Sequence, residues 1–359
     1  MALKNLFGHP SNGPFKRALT LVVSASLIAA TTSLPVHAED ASEAAELSEA
    51  ADSSAQADEN WHRVSTTART HTPVAAAILR GREWFFLRGN DDNHIWYSSD
   101  GQNFNQHPHG GATDAAPAAV VFHDTLYVFH VGQGGDLWYS TLTPGPGSGF
   151  SEWHRVPGSE GLHLRTTEPP TVTASARALY VLGMRNDEHI VFARTNDGTH
   201  WSNFDEPTGN AAGPRTLSAV GATAATDGSG TDWLVVAHRG TNNGVYWSGR
   251  RESDGFWLPW TEQNPGARTL SQPSLESFYG DDRHAYIGAS IEGIDHRVWA
   301  RSWDFSTGQN HGWRHVDDGS NVVTTDVAPT LIWLARAAVL LLAVSQNGII
   351  FQKQFGGVQ

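Results

Sequence analysis

The chain repeats itself. The stretch APAAVVFHDTLYVFHVGQGGDLWY (116–139) holds three short runs, AAVV, LYVF and LWY, rich in β-branched and aromatic residues and separated by the turn formers HD and GQGGD. Such runs read as three consecutive antiparallel strands, here a, b and c. A fourth run, FSEWHRV (150–156), is closed by Pro157-Gly158 and supplies strand d. PTVTASARALYVLGMRNDEHIVF (170–192) and PTLIWLARAAVLLLAVSQNGIIF (329–351) superpose on 117–139 without a gap. WFFLRGNDDNHIWY (84–97) and LVVAHRGTNNGVYW (234–247) match the b–c part without one, and AYIGASIEGIDHRVWA (285–300) matches with a two-residue insertion. Self-similarity at a spacing of roughly fifty residues marks a repeat architecture. Four strands per repeat point to the blades of a β-propeller.

The ends of the chain predict how the ring closes. WHRV (61–64) matches strand d at 153–156 and resembles WRHV at 313–316, yet no a, b or c strand precedes it. The last repeat has a, b and c, then only QKQFGGVQ. The strand missing at the end is therefore present at the beginning, and 61–64 is expected to pair with 349–353. Closure of this kind removes exposed strand edges. The blades fall at 73–107, 117–156, 170–207, 217–263, 273–316, and 329–351 plus 61–64. The fold class is thus all-β, a six-bladed propeller of four-stranded blades. Seven blades, the alternative, would need a repeat hidden in a long loop.

Composition narrows the function. The chain has no cysteine, which excludes disulfides, thiolate catalysis and Cys-ligated metals. A net charge of −13 with no basic patch argues against a nucleic-acid partner. Residues 1–38 read as a secretory signal: Lys4, Lys16 and Arg17, then ALTLVVSASLIAA, then Val36-His37-Ala38 with small residues at the cleavage positions. A secreted, extracellular protein is expected. Residues 39–59 carry eight acids and no base, a solvated, disordered linker ahead of a propeller domain at 60–359. The apolar stretch 328–344 raises the possibility of a membrane span. Arg336 stands in its middle and it is shorter than the ~20 residues a span needs, so two strands and no membrane span are expected.

Two motifs carry a family resemblance. SSDGQNF (98–104) and TNDGTHW (195–201) share Ser/Thr-x-Asp-Gly-x-x-aromatic and resemble the Asp-box of sialidase-type propellers. Aromatics three apart recur in strand d: Phe150 and Trp153, Trp201 and Phe204, Trp257 and Trp260, with Phe104 and His107 keeping the spacing without the second aromatic. Over 61–359 the chain resembles the PLL-like β-propeller lectins, bacterial fucose-binding proteins, with a fainter likeness to six-bladed fungal fucose lectins. The resemblance implies non-catalytic carbohydrate recognition, with glycans or glycoconjugates as partners.

The candidate ligand-binding residues form two sets. Arg88, His130, Arg185, His238 and Arg239 recur near the end of strand b, where they could bond sugar hydroxyls, or simply cap strands and pair with Asp91, Asp92 and Asp187. Trp153, Trp260 and Trp313, with Trp61 and Trp257, lie on outer strands and are expected to be more exposed than Trp96, Trp138, Trp247 and Trp299, which should fill the spaces between blades. His107 and His109 flank a proline in an expected surface loop; His-x-His can bind metal, but spacing offers no third ligand. No catalytic residue, metal or cofactor is indicated: GxSxG, HExxH and P-loop patterns are missing. Arg88, Arg185 and Arg239 could imitate the arginine cluster of a sialidase, although no Arg-Ile-Pro segment accompanies them. The expected ligand is a neutral or weakly charged glycan held at several similar weak sites. A sialidase-like glycoside hydrolase and a structural or protein-binding propeller without a sugar site are the alternatives.

Overall fold

The computed structural model describes residues 60–355 except 146, 209–212, 264–265, 281, 317–321 and 336–337. The expected signal segment, the acidic linker and Arg336 lie outside the described residues.

Strand β1 (His62–Arg63) stands apart from its neighbours in sequence. Blade 1 follows with β2 (Ala75–Leu79), β3 (Arg82–Arg88), β4 (Ile95–Ser98) and β5 (Asn105–Gln106). Blade 2 has β6 (Ala118–Phe122), β7 (Thr125–Val131), β8 (Leu137–Leu142) and β9 (His154–Arg155). Blade 3 has β10 (Thr171–Ala174), β11 (Leu179–Met184) and β12 (Ile190–Thr195), with its outer strand reduced to bridges from Phe192 to Asp205 and from Thr195 to Trp201. Blade 4 has β13 (Gly221–Thr226), β14 (Asp232–Arg239), β15 (Val245–Arg251) and β16 (Thr261–Glu262). Blade 5 has β17 (Ser274–Tyr279), β18 (Ala285–Glu292), β19 (Val298–Asp304) and β20 (Arg314–His315). Blade 6 has β21 (Thr330–Ala335), β22 (Ala338–Val344) and β23 (Ile350–Phe355), and β1 completes it. His62 lies opposite Gln352 and Arg63 opposite Phe351, and the Val64 N–H donates to the Ile350 carbonyl at 2.9 Å.

The protein is therefore a six-bladed propeller closed by its N-terminal strand, and the described residues form no seventh blade. The apolar stretch at 328–344 forms β21 and β22. Among the described residues no helix is long and apolar enough to cross a membrane. The inner strands β2, β6, β10, β13, β17 and β21 neighbour one another around the axis and line an axial cavity of about 120 Å³.

Each blade is covered on both faces, so strand b is buried almost throughout; β11 is buried at every residue. The buried side chains form six clusters, one in each seam between neighbouring blades. Phe86 meets Leu126 and Val128 between blades 1 and 2, and Phe129 meets Leu164 and Val181 between 2 and 3. Leu182 meets Val236 between 3 and 4, and Trp247 meets Ile287 and Trp303 between 4 and 5. Val298 meets Leu341 between 5 and 6, and Leu342 meets Phe85 between 6 and 1.

The residue just before each outer strand is aromatic in every blade: Phe104, Trp153, Phe204, Trp260, Trp313 and Trp61. Each packs into the seam with the preceding blade. This corrects two expectations. Phe104 stands at the place of Trp153, not of Phe150, and the strand-d tryptophans are wedged between blades instead of lying open on the rim.

Register corrects two more. The turn after strand b is closed by an N–H to carbonyl bond four residues on in blades 2 to 6, and five residues on in blade 1, from Gly89 to His94. The ungapped match of blade 1 therefore misplaces its strand b by one residue. Blade 5 needs no insertion, because Glu292 faces Val298 just as Arg239 faces Val245; its strand b simply starts earlier. The turns that resemble an Asp-box are built on Asp100, which accepts from Ser98 Oγ and the Gln102 and Asn103 N–H groups, and on Asp197, which accepts likewise from Thr195, Thr199 and His200.

Candidate functional site

The polar residues near the end of strand b do not share one position. Pairing places Arg88 and Arg239 at one level, opposite Ile95 and Val245, with Val131, Met184, Glu292 and Val344 at the same level in the other blades. His130 and His238 lie one residue earlier, opposite Trp138 and Tyr246. Arg185 lies one residue later, at the first turn position, where blades 1, 2, 4 and 5 have Gly89, Gly132, Gly240 and Gly293. A Cβ on any of these glycines would press on Trp96, Trp138, Tyr246 or Trp299 across the turn. Blade 3 faces this place with the smaller Val191, which leaves room for an arginine side chain.

Each of the three arginines has its own partner. Arg88 Nη1 donates to the Asp114 carbonyl at 2.9 Å. Arg185 holds Asp187 and lies 3.1 Å from Glu206 Oε1. Arg239 forks onto Asn243 Oδ1 at 2.9 and 2.7 Å and reaches the Leu270 carbonyl. The three arginines lie in three different blades, so they do not form a cluster on one carboxylate. His130 and His238 are buried, edge-on to Trp153 and Trp260 with ring centroids 4.6 and 4.8 Å apart. Burial lowers both imidazoles to about 4 and keeps them neutral. The turn that holds His107 and His109 does lie at the surface, with Pro108 and His109 exposed, but the His107 side chain is buried against Phe150 and Trp153 and lowered to about 4, first by burial and then by His109.

One seam departs from this self-sufficiency. Phe150, Trp201 and Trp257 each bridge to their own strand c, at Leu142, Thr195 and Arg250, and plug the seam there. In blade 5 the equivalent bridge to Trp303 is made by Asn310. The space released forms a pocket between blades 4 and 5, lined by Trp233, Trp247, Leu258, Arg301, Trp303 and Asn310 among others. Arg301 enters it from β19 at the level where Ser98, Ser140, Ala193 and Ser248 stand in other blades and Lys353 in blade 6.

Arg301 is 3% exposed. Its guanidinium carbon lies 5.2, 5.7 and 5.5 Å from the ring centroids of Trp247, Trp303 and Trp313, a caged cation. Among the described residues no carboxylate pairs with it, and Nε and Nη1 have no hydrogen-bond partner. Burial alone lowers the guanidinium to about 10. The indole N–H groups of Trp247, Trp303 and Trp313 are buried without acceptors. Trp61, Trp201 and Trp260 carry equally orphaned indole N–H groups in other seams, so it is the caged guanidinium that sets this seam apart.

Sequence reasoning passed over Arg301, yet a signal was present. Trp299, Arg301 and Trp303 alternate along one strand and so share one face, and an arginine there breaks the repeat.

Other groupings are more complete in themselves. A groove of about 420 Å³ between blades 1 and 2 has Arg82, Trp84, Tyr97 and Phe150 in its wall. Its arginines are engaged, Arg80 with Asp124 and Arg82 with the Ser99 carbonyl. Between blades 3 and 4, Glu252 pairs with Arg250 at 2.6 Å and Arg194 at 3.0 Å beside the Tyr180 hydroxyl, which burial first and then Glu252 push upward. Glu292, His296 and Asp326 bring three metal-capable atoms within 4.8 Å of one another at the junction of blades 5 and 6. His296 Nδ1 already links the carboxylates, at 3.1 Å to Glu292 and 2.9 Å to Asp326.

No family model and no curated protein matches the chain. Solved structures do. An arginine-to-alanine triple mutant of AofleA from Arthrobotrys oligospora superposes with a TM-score of 0.63 at 11% identity, over 83% of this chain and 87% of that one. A variant of Aleuria aurantia lectin in complex with α-methyl-L-fucoside gives 0.55 at 12%, over 79% and 90%. A Hadza microbial sialidase, Hz136, gives 0.53 at 11%, over 82% and 68%. At such identities the likeness is one of fold. By architecture, the chain is a six-bladed β-propeller that shares its ring with fucose-binding lectin propellers.

Proposed function

We propose that this chain is a carbohydrate-binding propeller, that it is exported through the leader at 1–38, and that its principal ligand enters the seam between blades 4 and 5. The observation that carries the reading is Arg301, buried and unpaired among tryptophans at the one described seam where an asparagine replaces the bridging aromatic. Aromatic faces and fixed donors are what sugar rings and their oxygens need. The fold likeness to a lectin seen with α-methyl-L-fucoside supports the class of ligand. In this reading one distinctive seam is the principal site, ahead of the several similar weak sites that the repeats suggest. We read the chain as non-catalytic, because no pair of carboxylates lines the described pocket in the way glycoside hydrolysis requires.

A glycan array followed by isothermal titration tests the reading. Binding that Arg301→Leu removes, while the melting temperature stays, supports it. Turnover in a fluorogenic glycoside panel would favour the hydrolase reading instead. No binding across a broad array would favour a structural or protein-binding propeller. Amino-terminal sequencing of protein recovered from the medium tests export, with residue 39 the expected start.

A further inference from the structure

The pocket between blades 4 and 5 says more about its ligand than that it is a sugar. A guanidinium withdrawn from water gives up its ionic hydration, and cation–π contacts offset that loss without supplying a counter-charge. A neutral hydroxyl accepts a hydrogen bond but leaves the charge standing. Elsewhere in this molecule such cations are provided for: Glu252 serves the half-buried Arg250, and the Val316 carbonyl accepts from the buried Lys353, which stands at the level of Arg301 in the next blade. Among the described residues nothing serves Arg301.

Size narrows the choice. The innermost space of the pocket, which opens toward the surface, is about 30 Å³. That holds a group of about two or three heavy atoms and cannot hold a pyranose ring. The ring must stay at the mouth, where Asn310 is exposed, while a small substituent enters. A carboxylate has the charge, the size and the acceptor lone pairs to answer Arg301; the indole N–H groups of Trp247 and Trp303 are sealed beside it, so their rings must turn toward the ligand to donate.

We propose that this seam binds the carboxylate of an acidic sugar, with Arg301 as its counter-charge and the Trp247 and Trp303 indoles as further donors. This rests on the carbohydrate reading above and sharpens its ligand from neutral to acidic.

The test is calorimetric titration of the full chain with four probes: methyl β-D-glucuronide, methyl β-D-glucoside, the methyl glycoside of N-acetylneuraminic acid, and acetate. At least one acidic sugar should bind tenfold or more tighter than the glucoside, and which one does identifies the source of the carboxylate. Acetate should compete weakly. Arg301→Leu should abolish the preference, and Asn310→Trp, which refills the seam without touching the arginine, should do the same. Equal affinity for glucuronide and glucoside would overturn the carboxylate while leaving the sugar reading intact. Acetate binding with no sugar binding at all would overturn the sugar reading and reduce the seam to an anion site. No binding of any probe by a folded protein would end both.

Discussion

The seams on either side of blade 4 are built on the same backbone and treat an arginine in opposite ways, one half-buried and paired, the other buried and unpaired among the described residues. Between blades 3 and 4, Trp257 fills the gap, and Arg250, at the strand-c place bridged by Trp257, holds Glu252 at 2.6 Å. Arg194 reaches the same carboxylate from blade 3 at 3.0 Å. Between blades 4 and 5 the corresponding strand-c place is Trp303, bridged by Asn310, and the arginine has moved two residues back, to 301, where no carboxylate among the described residues meets it. One seam balances its charges internally and is part of the scaffold. The other holds a charge that no described carboxylate balances, which is why the proposed ligand is placed there.

The largest expected effect comes from breaking the balanced seam. Glu252→Gln leaves two arginines facing each other without their shared partner, and stability should fall by about 2–4 kcal/mol in chemical denaturation. A loss under 0.5 kcal/mol would show that the triad is screened like a surface pair, and the contrast between the seams would lose its meaning.

Acid separates them next. His238, in the balanced seam, is held at about 4 by burial, below its ordinary 6.5. Between those values the unfolded chain binds the proton and the folded one does not, so this contribution is complete above pH 6.5 and is lost as pH falls toward 4. His238→Gln should therefore gain about 2–3 kcal/mol on wild type between pH 7 and pH 4. The open seam contains no such histidine, and Arg301→Leu should shift the stability curve by the same amount at both pH values. A flat difference for His238→Gln would mean that its imidazole is already charged in the folded state.

The smallest effects are expected in the open seam itself. Removal of an unpaired buried charge is neutral or stabilising, so Arg301→Leu should change stability by about +1 kcal/mol or less. A loss of 3 kcal/mol or more would show that the tryptophan cage depends on the cation, and that Arg301 is a structural member like Arg250.

How much of this could be read from the chain follows the repeat. The ring and its closure were legible because identical demands recur: strands a, b and c announce themselves by β-branched and aromatic runs, and the strand missing after residue 351 reappears at 61–64. The extra residue between Gly89 and His94 was hidden, because the strong Trp96-Tyr97 match fixed strand c and carried strand b along out of step. The candidate residues at the end of strand b drew notice as charged ends on apolar runs, yet local turns and loops supply their partners, Asn243 for Arg239 and Asp187 for Arg185, and sequence spacing does not show that. Arg301 was passed over for the converse reason. A search for recurring features discards what occurs once, and a site that differs from its copies occurs once. The two residues that make the seam distinctive, Arg301 and Asn310, are departures from the pattern in strands c and d.

Heteronuclear NMR of the indole N–H groups is the most direct measurement of the central claim. The chain has 14 tryptophans, so its indole region is small enough to assign by single Trp→Phe substitutions. Titration with the acidic sugar selected by calorimetry should move the Trp247 and Trp303 resonances strongly and leave those of Trp153 and Trp260 in place. Shifts centred on Trp153 and Trp260, with Trp247 and Trp303 unmoved, would contradict the assignment of the site to the seam between blades 4 and 5.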